Sequence, residues 1–222
     1  MSSSPRPSRE GGLLAGGRGR LARCLLHDDL LVRFPALLLA DAAVLVVAWT
    51  LGYLLLPEGF LSGRTGAAVL AGGDLAGGSV ALEAARLLAI NLAVVVLAII
   101  APNLIRQSGY PLGYSALAVI TAVFGMTIGT NSFAVSLGAK MPPSLEIFAS
   151  SGLYEIAAYA LAAASTVSIV RWQVVGSKAE RVPAVTDRGA IRQRNVGVAV
   201  ALVILVLACV FEAFRFSQAI SS

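Results

Sequence analysis

Glu155 lies inside the apolar run Ser150–Ile169, SSGLYEIAAYALAAASTVSI, which has no Lys or Arg. A lone carboxylate in hydrocarbon costs roughly 2.5 to 3.5 kcal/mol on insertion scales. Glu155 is therefore expected to face other helices. Small residues surround it (Ala157, Ala158, Ala160, Ala162, Ala163, Ala164) and allow neighbouring backbones to come close. Three more polar side chains, Asn91, Asn131 and Glu212, also interrupt apolar runs. Two acids and two amides on four helices could satisfy one another by interhelical hydrogen bonds, or could form a proton- or cation-linked site. The first reading is favoured. Asp41 is a further, isolated intramembrane acid, with Arg33 and Arg171 as its candidate partners.

The elements that must hold these groups follow from composition. Of 222 residues, 57% are hydrophobic and 13% are charged. The mean hydropathy is +0.82. Soluble domains carry about 25% charged residues. The apolar residues fall in long runs, which defines an all-α, polytopic membrane protein. Five transmembrane helices are expected, at about 34–56, 84–105, 111–135, 146–170 and 196–216, within a domain of residues 34–216. Span four could instead be broken at Gly152, with a separate piece from Leu145.

Residues 1–17 are expected to be a disordered cytoplasmic tail, and 18–33 an interfacial amphipathic helix with Leu21, Cys24 and Leu25 on one stripe. The first 33 residues have no apolar core followed by a small-residue cleavage site, so span one is expected to act as an uncleaved anchor. Pro35 suits a first helical turn and Pro57 an end. The loop 57–82 is Gly-rich. A kink or early stop is expected at Pro102-Asn103. Span three carries Gly125 and Gly129 as a GxxxG contact face, extended by Ala118 and Ala122.

Five crossings place the two termini on opposite sides. The N-terminal arm has six Lys and Arg, the Arg106 loop one and the 171–195 loop six, against four on the other side. The positive-inside rule then puts the N-terminus in the cytoplasm and the tail 217–222 outside, in a multi-pass cytoplasmic-membrane protein. The net charge of +5 follows from this asymmetry and implies no nucleic acid. In this orientation Asn91, Asn131, Glu155 and Glu212 share the outer half, within roughly 10 Å of depth, and Asp41 lies in the inner half.

Motifs for soluble chemistry are missing. The lone histidine, His27, precedes the first span, so no HExxH is possible. There is no GxxxxGK[ST] and no GxSxG. Cys24 and Cys209 give no disulfide framework. The expected protein has no catalytic residue, cofactor or metal. Its partners would be the lipid bilayer, other membrane or envelope proteins, or itself as a homo-oligomer.

From residue 84 to 216 the chain resembles the stage II sporulation protein M family. That family has a Pro-His-Gly-x-x-Glu motif opening a late membrane helix, followed by an Ala-rich run. The matching residues are Ser150-Ser151-Gly152-Leu153-Tyr154-Glu155, with Ser in place of both Pro and His. Ile90-Asn91-Leu92-Ala93-Val94 is similar to its Asn-Leu-x-Val segment. Leu207 to Phe214 is similar to its Ala-x-x-Ile-Glu-Ala-Phe ending. Asn131 falls where the family has Asn-Gly, with Ser132 replacing the Gly. The resemblance implies a five-span, non-enzymatic protein. In spore formers the family member anchors a septal complex containing cell-wall hydrolases; relatives also occur in organisms that form no spores.

Overall fold

The computed structural model describes residues 12–62, 80–133, 139–144 and 151–221. Of the disordered tail expected over residues 1–17, residues 1–11 fall outside the described residues, as do most of the Gly-rich loop and the question of whether span four starts before Ser151; residues 12–17 are helical, contrary to that expectation.

Among the described residues, six helices carry the fold. They are α1 (Gly12–Leu25), α2 (Leu30–Leu55), α3 (Val80–Ala93), α4 (Leu112–Gly129), α5 (Ser151–Ser165) and α6 (Arg188–Ser221). A π-helical segment, Val94–Ile100, and a 3-10 turn, Ala101–Leu104, continue α3; the 3-10 turn Thr166–Ile169 continues α5. Five segments are long and apolar enough to cross a membrane: Leu30–Leu55, Val80–Leu104, Leu112–Gly129, Gly152–Ile169 and Arg188–Arg215. The protein is a bundle of these five helices, with α1 leading into it.

The boundaries depart from the sequence expectation for local reasons. The interfacial helix expected over 18–33 ends at Leu25, because Asp29 caps a new helix: its carboxylate accepts from Leu31 N at 2.9 Å. Pro35 consequently lies inside α2 rather than in its first turn. At the other end Leu56, which precedes Pro57, is extended, as the proline ring demands.

Span three stops at Gly129, six residues short of the expected end. Asn131 adopts φ 50°, and Ser132 N donates to Thr127 O while Asn131 N donates to Ile128 O. These two bonds around a left-handed residue close the helix as a Schellman motif. Span five starts eight residues before Val196, because Asp187 caps it through Ala190 N at 2.7 Å. It also runs through the expected tail to Ser221.

A small sheet was not expected. Strands β1 (Ile105–Gln107), β2 (Tyr110–Pro111), β3 (Trp172–Val175) and β4 (Lys178–Arg181) lie in the order β2-β1-β3-β4. Ser108 and Gly109, both with positive φ, turn β1 into β2. β1 pairs with β3 in parallel, Arg106 opposite Gln173. The α3–α4 and α5–α6 connections are thereby joined at one end of the bundle, the end that holds Arg106 and most of the basic 171–195 segment. The N-terminal segment meets the same end, where Tyr114 OH donates to Leu25 O at 3.0 Å.

The core is centred on α5. Ala158, Ala160, Ala162, Ala163 and Ala164 are buried, together with Tyr159, Leu161 and Val167. No helical face is free when both Ala160 and Ala162 are buried, so α5 is enclosed by its neighbours. The outer helices keep apolar faces exposed, as Val196, Val200, Val203, Leu207 and Phe214 do on α6. That stripe, at helical spacing, faces the lipid tails.

Gly125 and Gly129 lie against α2. A Cβ on Gly125 would meet Leu45 O at 2.7 Å, and one on Gly129 would collide with Trp49 O of α2. Gly52 answers from α2, its own added Cβ lying 3.1 Å from Met126 Cα. Three glycines thus bring α2 and α4 into backbone contact.

Candidate functional site

Asn91 is the centre of the polar group. It is buried on α3, and its Nδ2 donates to Glu155 Oε1 of α5 at 2.9 Å and to Cys209 Sγ of α6 at 3.4 Å. Its Oδ1 accepts a hydrogen bond from Tyr159 OH. Both amide hydrogens and the carbonyl are therefore committed. The Glu212 carboxyl of α6 lies beside that of Glu155. The arrangement is a chain of five side chains, Tyr159–Asn91–Glu155–Glu212 with Cys209 beside Asn91, drawn from three helices.

Helical spacing places each member. Tyr159 follows Glu155 by four residues and Cys209 precedes Glu212 by three, so each pair shares a helix face. These two partners were missed in the sequence because Tyr and Cys are unremarkable in apolar helices. Their spacing from the two acids was the available signal.

Of the expected layer, Asn91, Glu155 and Glu212 come together. Asn131 has a partner of its own: its Nδ2 donates to Glu58 Oε1 at 2.7 Å, in the turn that follows α2. The same junction is fastened by Gly59 N to Thr130 O at 2.7 Å and by Leu61 N to Ser132 Oγ at 3.0 Å. Gly152, counted with the polar cluster in the sequence, packs against α4 instead. A side chain there would run into the Phe124 ring of α4.

Asp41 requires a correction. Among the described residues neither Arg33 nor Arg171 pairs with it; Thr121 Oγ1 of α4 donates to Asp41 Oδ2 at 2.7 Å. Arg33 instead donates through Nε to Ala164 O at 2.9 Å and through its guanidinium to His27 O. Arg171 donates to Ile169 O and Val170 O. Arg33 Nε and Arg171 Nη1 thus serve carbonyls at or near the C-terminal end of α5, where the helix leaves acceptors unmatched.

Asn103 is a second polar node. It is fully buried, and its Nδ2 donates to Ala163 O at 2.9 Å and Thr166 Oγ1 at 2.7 Å, while its Oδ1 accepts from Gly113 N at 3.0 Å. The sequence suggested a kink or an early stop there. The residue in fact joins α3, α4 and α5 just beyond the π-helical segment. An added Cβ at Gly113 would overlap the Asn103 side chain, so the glycine makes room for the bond.

No protein-family model, no curated protein and no solved structure matches the chain.

Proposed function

We propose that this membrane protein is a non-enzymatic anchoring subunit of a larger membrane or envelope complex. The supporting observation is a shallow groove of about 400 Å³ on the membrane-facing side of α2 and α4. It is lined by Ala43, Val44, Val47, Ala48, Leu51, Ala122 and Met126. Small and flexible apolar side chains of this kind accept a partner helix at close range. The resemblance to the stage II sporulation protein M family points to the same role. The basic end of the bundle is assigned to the cytoplasm by the positive-inside rule, with the C-terminus outside.

Co-purification from native membranes tests the anchoring role. Val47→Trp fills the groove and is expected to release partner proteins that the wild type retains. Val203→Trp, on the lipid-facing stripe of α6, is expected to retain them. A wild-type chain that travels alone in mild detergent, or partners indifferent to Val47→Trp, contradicts it.

The Glu155–Glu212 contact favours a second reading, a proton- or cation-linked transport role. Adjacent acids inside a bundle are costly as mere helix glue. Glu155→Gln would then abolish a flux in proteoliposomes while the fold persists; an unchanged flux counts against it.

A further inference from the structure

At the base of the β-hairpin at the basic end lies an open cleft of about 380 Å³, lined by Arg171, Arg181, Val182, Pro183 and Ala184. Arg171 is held in place by its Nη1 bonds to Ile169 O and Val170 O, at 3.2 and 3.1 Å. Its other guanidinium hydrogens stay available, because arginine carries five donors in a fixed fork. Main-chain bonding brings the second arginine alongside: Val182 N donates to Arg171 O at 2.8 Å, and Arg181 pairs with Trp172 in the strand register. Arg181 is exposed, and neither arginine forms an ion pair with a carboxylate among the described residues.

The position of the cleft matters as much as its charge. It lies directly after the last turn of α5, next to the sheet that joins the two connections at that end. Trp172 is 47% exposed and Tyr110 36%, both on that sheet. Exposed Trp and Tyr at helix ends mark the headgroup level of a bilayer. The planar forks of a pair of guanidiniums at that depth can each take two oxygens of a tetrahedral phosphate.

We infer that Arg171 and Arg181 form a binding site for a phosphate-bearing anion at the membrane surface. The anion can be the headgroup of an acidic phospholipid or a soluble phosphate. The site depends on neither the anchoring nor the transport reading. It would fix the height of the bundle in the leaflet and hold the α5–α6 connection against it.

The test uses the full chain in zwitterionic detergent, with the fluorescence of Trp172 as the reporter; Trp49, the other tryptophan, is buried. Dihexanoyl-phosphatidylglycerol is expected to give a saturable change, and dihexanoyl-phosphatidylcholine none. Arg181→Glu is expected to weaken the response at least tenfold with unaltered thermal unfolding, since that side chain is exposed and makes no hydrogen bond or ion pair among the described residues. Arg181→Ala serves as the second variant and is expected to weaken it less. Saturation by inorganic phosphate alone would assign the site to a soluble anion; a response to the lipid only would assign it to the headgroup. The inference is overturned if neither probe saturates, if phosphatidylcholine binds equally well, or if both Arg181 variants respond like the wild type.

Discussion

Asn91 of α3 and Glu155 of α5, 64 residues apart in the chain, are joined by a 2.9 Å hydrogen bond inside the bundle. Asn91 also receives Tyr159 and touches Cys209, so one amide links three helices. Replacing it strands several partners at once. Asn91→Ala is expected to destabilise the bundle by about 1 to 3 kcal/mol, the usual cost of leaving buried polar groups unpaired. Thermal unfolding in a fixed detergent or in bicelles reads this. A variant as stable as the wild type would mean that water or lipid satisfies those groups.

The Asp41–Thr121 bond makes a distinct prediction. Thr121 is fully buried, and Asp41 nearly so. Thr121→Val removes the donor and leaves the acid alone, and is expected to cost about 1 to 3 kcal/mol. Combining it with Asp41→Leu should recover much of that loss, because a matched apolar pair needs no hydrogen bond. Equal stability of Thr121→Val and wild type would contradict the pairing.

Contact between α2 and α4 rests on absent side chains. Gly129→Leu forces a branched group into Trp49 O and Tyr53 N. Overpacking of this kind costs roughly 1 to 3 kcal/mol, and more where backbone must move. Gly19→Ala, where an added Cβ meets nothing within 4 Å, should leave the melting temperature unchanged. Comparable melting of Gly129→Leu and wild type would show that the two helices do not meet there.

Asn103→Ala should uncouple the ends of α3, α4 and α5. It frees Gly113 N, Ala163 O and Thr166 Oγ1 together, while Thr166 retains its bond to Ala162 O at 2.7 Å. Hydrogen exchange at Gly113 N is expected to rise sharply, with a global loss of about 1 to 3 kcal/mol. Unaltered protection at that amide would count against the node.

The five crossings were legible because hydrocarbon imposes length and composition on every spanning helix. Glu155 was legible for the same reason: a carboxylate in such a run demands neighbours. Gly125 and Gly129 announced the α4 face, but Gly52, the glycine that answers them, stands alone in its segment and gave no pattern. Asn131 and Asp41 were misassigned because depth along a helix says nothing about the direction a side chain faces. Glu58 and Thr121 are chosen by rotation and by the path of loops. The sheet escaped notice because its strands have two to four residues, and β4, Lys178–Arg181, is exposed throughout, without apolar alternation. The Gly176-Ser177 turn between Val175 and Lys178 was the overlooked hairpin signal.

Most directly, the central claim is that Glu155 and Glu212 meet inside one chain. Both positions can be changed to cysteine in a Cys24→Ala, Cys209→Ala background and treated, in membranes, with a short bifunctional thiol reagent. The account predicts an efficient crosslink within single chains, lost when the Glu212 cysteine is moved to Val210. Crosslinks only between chains, or none, would contradict it.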